Sequence, residues 1–189
     1  MQYDGKVYEI VSGHNLSEDA WHYELSGLSG APGTGPFMAV AVPDATPDGL
    51  FAPRSAQHVM VHAGGGVVPW PILEELLDQL DSCGDLIDDV RDLSAEATAL
   101  NTWSHGSQQF EVNRFRCNRA WCYELYAIDA AANRYIRVRI TDAPQDSGPF
   151  VPMPADRGTL TMHGRWSIPW PVFRRFLDAS SSGTGPDDR

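Results

Sequence analysis

The sequence predicts an α+β protein: a tandem duplication of a ββββα unit, with two antiparallel four-stranded sheets and helices packed as a pseudo-twofold dimer. Two observations lead there. The first is internal repetition: Ala20-Trp21-His22-Tyr23-Glu24-Leu25 recurs as Ala120-Trp121-Cys122-Tyr123-Glu124-Leu125, and Pro69-Trp70-Pro71 recurs as Pro169-Trp170-Pro171 at the same offset of 100. Between them, Val40-Ala41-Val42-Pro43-Asp44-Ala45 matches Val138-Arg139-Ile140-Thr141-Asp142-Ala143, and His62 is matched with His163. The second is that each copy shows runs of period-two alternation followed by one stretch of helical spacing.

The elements follow in order. Tyr8-Glu9-Ile10-Val11 and Phe110-Glu111-Val112 open a first strand in each copy. Residues 20–28 and 120–128 alternate as a second strand, with Trp, Tyr and Leu on one parity and Glu on the other. Residues 37–42 and 135–140 make a third, and Val59-Met60-Val61-His62 and Leu160-Thr161-Met162-His163 a fourth. Pro-Trp-Pro then launches a helix, its second Pro suiting the first turn. Ile72, Leu73, Leu76, Leu77 and Leu80 form one apolar stripe, and Val172, Phe173, Phe176 and Leu177 the other. The chain divides into a first repeat over 1–82, a helical linker over 83–107, a second repeat over 108–179 and a disordered tail over 180–189. Gly84 is expected to end the first helix and Asp85 to cap the linker helix. A four-stranded sheet with one helix has a single covered face, so two such units are expected to cover each other.

Hydrophobic residues are 42 % and charged residues 21 % of the 189, which is ordinary globular usage and excludes wholesale disorder. No apolar run reaches the roughly 18 residues of a membrane helix, and the start reads as no signal peptide. Three cysteines argue against a secreted disulfide framework. The expectation is a cytoplasmic protein with no membrane partner. Its net charge of −11 is unevenly spread. Residues 1–100 carry three basic against 16 acidic residues, whereas residues 101–189 carry 11 basic against nine acidic. Such asymmetry suggests two surfaces with different partners, or one half matched to the other.

Alternation assigns Trp121, Tyr123, Leu125, Ile136, Val138 and Ile140 to an inner face. Cys122, Glu124, Tyr126, Tyr135, Arg137, Arg139, Thr161 and His163 fall on an outer one, with His22, Glu24, Ser26, Phe37, Ala39, Ala41, Met60 and His62 as their counterparts. Glu124 and His163 with Arg137 and Arg139 could serve acid–base chemistry or hold a ligand. The sequence holds no nucleophile motif, phosphate loop or catalytic signature, so no enzyme, cofactor or metal is expected. Cys117 and Cys122 lack the second pair that a zinc site needs. The run Asp85, Asp88, Asp89 and Asp92 resembles no calcium loop. Gly64-Gly65-Gly66 reads as a turn. Glu74-Glu75 are replaced by Arg174-Arg175 in the second helix, and antiparallel helices could bring them together. Trp21, Trp70, Trp121 and Trp170 are expected in the core, and the unduplicated Trp103 and Trp166 as exposed anchors.

The leading expectation is a non-enzymatic interaction module that binds a protein partner or itself through its charge-asymmetric halves. The candidate partner-binding residues are Arg137, Arg139, Tyr135, Tyr126, Glu124, His163, Trp166 and Arg165. The alternative is single-stranded nucleic-acid binding, because arginines interleaved with Phe115, Tyr126, Tyr135 and Trp166 suit stacking in a positive groove. In element order the duplicated ββββα pattern also resembles the single-stranded nucleic-acid-binding folds of the Whirly and PUR-repeat type, which implies binding on a sheet face. A small enzyme or ligand binder on the Glu124, His163, Arg137 and Arg139 cluster is the third reading.

Overall fold

The structure, a computed structural model, describes residues 1–29, 35–46, 49–86, 102–117, 120–128, 134–141 and 158–181. It is α+β, with two antiparallel sheets and two helices. The strands are β1 (Gln2–Tyr3), β2 (Lys6–Asn15), β3 (Ala20–Ser29), β4 (Gly35–Pro43), β5 (Met60–Ala63) and β6 (Gly66–Pro69), followed by helix α1 (Trp70–Cys83). Then come β7 (Thr102–His105), β8 (Gln108–Cys117), β9 (Ala120–Ala127), β10 (Arg134–Thr141), β11 (Thr159–Met162) and β12 (Trp166–Pro169), followed by helix α2 (Trp170–Ser181).

Each sheet has six strands rather than the four expected. The orders are β1-β2-β3-β4-β5-β12 and β6-β11-β10-β9-β8-β7. One extra strand is a short N-terminal hairpin arm: β1 pairs with Lys6 and Val7 of β2 across Asp4 and Gly5, and β7 pairs with Gln108–Glu111 of β8. The other is exchanged between the sheets. β6 leaves the first sheet and pairs with β11, and β12 leaves the second and pairs with β5.

Two glycines at the turn into β6 lie tightly against β4. A Cβ on Gly64 would lie 2.1 Å from the Pro36 carbonyl oxygen, and one on Gly66 would lie 2.7 Å from the Phe37 ring. Positions 64 and 66 therefore have no room for a side chain, whereas the crossing into β12 is made through His163-Gly164-Arg165. The loop read from sequence as a plain turn is where β6 leaves the first sheet.

Both helices begin where an exchanged strand ends, and each is tied to the opposite half. The Trp70 N–H donates to the Gly158 carbonyl at 2.9 Å, and the Trp170 N–H to the Val59 carbonyl at 2.8 Å. The stripes expected from sequence are the buried faces: Ile72, Leu73, Leu76 and Leu80 in α1, and Val172, Phe173, Phe176 and Leu177 in α2. They join the inner faces of both sheets in one apolar cluster that includes Tyr23, Leu25, Val40, Tyr123, Ile136 and Val138. Burying a Leu or Phe side chain contributes about 1.5–3 kcal/mol, so this shared core binds the halves together. Gly84, in the left-handed conformation at φ 71°, caps α1 as expected. Asp85 just beyond it accepts a hydrogen bond from the Tyr23 hydroxyl, and burial together with that carboxylate pushes the Tyr23 hydroxyl far above its ordinary range.

Within the segment read as a linker, Thr102–His105 form β7, and the remainder of the expected linker helix, residues 87–101, lies outside the described residues. Of the expected tail, Ser180 and Ser181 belong to α2, and residues 182–189 lie outside the described residues. No described helix is long and apolar enough to cross a membrane.

Candidate interaction face

Register fixes which side chains meet on the outer face of the second sheet. One row across it runs Val67, Thr161, Arg137, Glu124, Asn113. Glu124 and Arg137 are direct cross-strand neighbours, and Tyr126, two residues along β9, shares their face. The Arg137 guanidinium closes on Glu124 Oε1, with Nε donating at 2.6 Å and Nη2 also in contact, while the Tyr126 hydroxyl donates to Oε2. The Glu124 side chain is 3 % exposed and that of Arg137 31 %. A carboxylate this far from water requires a compensating charge and filled lone pairs, and both are present. The sequence cluster thus contains a sealed Glu–Arg–Tyr unit.

The neighbouring row runs Pro69, Thr159, Arg139, Cys122, Phe115. Arg139 is exposed, Phe115 is 37 % exposed, and Cys122 between them is buried. Arg165 and His163 are exposed in the turn between β11 and β12. The Cys117 side chain lies outside the described residues, so the cysteine pair is not placed.

Three expectations change. Tyr135 and its counterpart Phe37 are not on the outer face. Each is the extra residue of a β-bulge, between Arg134 and Ile136 in β10 and opposite the Leu25/Ser26 step in β4. A bulge puts two successive residues on one side, and both rings turn to the core. Trp166 is not an exposed anchor either. It sits on the core side of β12, half-buried, with the Tyr135 ring edge-on at 5.8 Å. Trp103 is 8 % exposed, beneath the Arg175 guanidinium at 5.5 Å. The other expected core tryptophans divide: Trp70 and Trp170 are buried, whereas Trp21 and Trp121 pack half-buried against the core.

The third change is the match of His62 to His163. The Gly64 N–H donates to the Phe37 carbonyl at 2.8 Å, and the His163 N–H donates to the Tyr135 carbonyl at 3.0 Å. Since Phe37 and Tyr135 are the two bulge residues, His163 corresponds to Gly64 and His62 to Thr161. The turn after β11 is one residue longer than the turn after β5, which hides this in the sequence. The row that holds Glu124 therefore carries Thr161, and an acid–base pair of Glu124 with His163 is not assembled there.

The corresponding row of the first sheet runs Ser167, His62, Ala39, Glu24, Val11. Ala39 and Ala41 on β4 leave room for imidazoles from both sides. His62 and His22 stack at 6.2 Å, His62 Nδ1 is 2.7 Å from Ser167 Oγ, and His22 Nε2 lies 2.9 Å from a Glu18 carboxylate oxygen. The Glu18 contact has the distance but not the direction of a hydrogen bond. Burial, reinforced by His22, holds the His62 pKa below the usual imidazole range against the pull of Glu18. The alternation places His22, Glu24 and His62 on this face, but the contacts of Ser167 and Glu18 depend on the strand exchange and the hairpin turn, which the pattern does not reveal. The two outer faces thus differ in chemistry, imidazole and carboxylate on one and guanidinium on the other.

The helix charges stay in their own surroundings. Glu74 accepts from Trp70 Nε1 at 2.9 Å, Arg174 lies 3.6 Å from Asp178, and Arg175 covers Trp103. Both sheets also have a partly open edge among the described residues. β1 reaches only Lys6 and Val7 of β2, and β7 only Gln108–Glu111 of β8, so Val11, 50 % exposed, and Phe115 lie on stretches beyond the arms. No protein-family model, curated protein or solved structure matches the chain.

Proposed function

We propose that the chain is a non-enzymatic interaction module, a duplicated ββββα unit whose halves have diverged in charge, and that it binds the acidic half of a second copy, or a like protein partner, along β8. Duplication is supported by the two equivalent strand exchanges, the paired bulges and the matching bonds from Trp70 and Trp170 into the opposite half. The observation that carries the binding reading is the edge of β8 beyond β7, open among the described residues, with Phe115 exposed on it and Arg139 on the same face. An open strand edge is a template for a further strand, and side chains of one sign select the partner. The first half, with 16 acidic residues, supplies the opposite charge. A cytoplasmic location fits the exposed free thiol of Cys83.

Sedimentation velocity over a concentration series at low and moderate salt tests this. The expected result is self-association that weakens with salt and is lost in Phe115→Asp. A monomer at all concentrations, or association unchanged in Phe115→Asp, overturns it.

Single-stranded nucleic acid stays as a second reading because Arg139 and Phe115 place a guanidinium and a ring in one row of the same face, with Cys122 between them. The capture of Arg137 by Glu124 weakens it, since a neutralised guanidinium adds little to phosphate binding.

A further inference from the structure

We propose that His14, Asp19 and Asp44 form a binding site for a divalent transition-metal ion at the end of the first sheet, apart from the β8 edge. Strand pairing gathers the three. His14 lies near the end of β2 opposite Trp21, Asp19 closes the hairpin into β3, and Asp44 follows β4, its N–H donating to the Asp19 carbonyl at 2.9 Å. One ligand-type atom from each lies within 4.8 Å of the others, and His14 Nε2 is 3.6 Å from Asp19 Oδ1.

Asp44 is the anchor. It is 5 % exposed, and its Oδ1 accepts from Thr46 N at 2.8 Å, Ala52 N at 3.1 Å and Thr46 Oγ1 at 3.2 Å. The Thr46 and Ala52 N–H groups thus fix the place of its carboxylate. All three bonds go to one oxygen, which orients the group and leaves metal ligation to Oδ2. His14 and Asp19, whose side chains are 27 % and 51 % exposed, can close the remaining distance by rotation. Ligand bonds of about 2.0–2.2 Å require that closure.

Charge makes a second argument. Asp19 and Asp44 bring two carboxylates together, and the nearby Arg54 donates through Nε to the Asp44 backbone carbonyl at 2.9 Å rather than to its carboxylate. In the second half the sequence keeps the aspartate as Asp142 but has Arg116 opposite Trp121 where His14 stands opposite Trp21, and Arg119 where Asp19 stands. The sequence of one half thus has arginines where the other has metal donors. An imidazole with two carboxylates suits zinc or manganese better than calcium or magnesium, which favour all-oxygen sets.

The test is calorimetric titration of the full chain, stripped with chelator, with zinc chloride and manganese chloride. The expected result is one site that weakens at least tenfold in His14→Ala and in Asp19→Asn, and is kept in His22→Ala. Asn tolerates the left-handed backbone of Asp19, at φ 50°, and both positions are solvent-facing, so the variants stay folded; far-UV circular dichroism checks that. No uptake by the wild type, equal affinity in His14→Ala, or calcium bound as tightly as zinc each overturns the proposal.

Discussion

Arg137 and Ala39 stand at the same point of their two sheets, each directly opposite a glutamate: Arg137 faces Glu124 across β10 and β9, and Ala39 faces Glu24 across β4 and β3. The consequences diverge. With a guanidinium opposite, the Glu124 side chain is 3 % exposed; with a methyl group opposite, Glu24 is 45 % exposed and lies 3.9 Å from His22 Nδ1. Arg137 and the Tyr126 hydroxyl seal one carboxylate into its face, whereas the other, opposite Ala39, is left wet.

It follows that Arg137→Ala destabilises the fold by about 3–5 kcal/mol, because it strands a buried carboxylate, whereas Ala39→Ser changes little. The double variant Glu124→Gln with Arg137→Met is expected to recover most of the loss. Urea unfolding of the three proteins checks this, and additive losses in the double variant would refute the sealed-pair account.

The strand exchange makes a sharper prediction at Gly64. A Cβ there meets the Pro36 carbonyl at 2.1 Å, whereas at Gly13 nothing lies within 4 Å. Gly64→Ala is expected to cost about 3 kcal/mol or more and Gly13→Ala to be near neutral. Comparing thermal midpoints decides it. Equal midpoints would mean that the crossing does not depend on the glycine.

These contrasts show what was legible in the sequence. Period-two and 3.6-residue patterns located the principal strands and both helices, since Tyr23, Leu25, Ile136 and Val138 alternate and Leu73, Leu76 and Leu80 recur at helical spacing. The exchange was hidden, because Gly66–Pro69 and Trp166–Pro169 are too short to alternate audibly and their partners are about a hundred residues away. The bulges were hidden too: one inserted residue reverses parity, which moved Tyr135 from the outer face to the core. Of the candidate site, Glu124, Tyr126, Arg137 and Arg139 did share a face, but which guanidinium is neutralised depends on cross-strand register, which sequence alone does not specify.

Acid is expected to weaken the protein in two stages. His62 and His105 have pKa values lowered chiefly by burial, with His22 adding to the first and His58 to the second. In the unfolded chain each takes a proton near its ordinary value of about 6.5, while the folded form resists until lower pH, so stability falls as pH drops through and below that value. Asp44 shifts in the same direction: its folded pKa is also depressed, so the stability it contributes is present above about 4 and lost as pH falls further. Urea midpoints between pH 8 and 3 should show a shallow decline from near 6.5 and a steeper one below 4. His62→Gln is expected to flatten only the first, and an unchanged first stage in that variant would reassign it.

The nucleic-acid reading is decided by Arg139 rather than Arg137. Arg137 is held by Glu124, whereas Arg139 is exposed in the same row as Phe115, two strands away. If a single strand lies on this face, Arg139→Glu should abolish binding of a labelled oligonucleotide, Phe115→Ala should weaken it through lost stacking of about 1–3 kcal/mol, and the wild-type affinity should fall steeply with salt. Arg137→Lys, which keeps a cation opposite Glu124, should bind almost as the parent does. Absence of binding at low salt, where phosphate attraction is least screened, removes nucleic acid as a ligand and leaves the β8 edge as the surface to pursue.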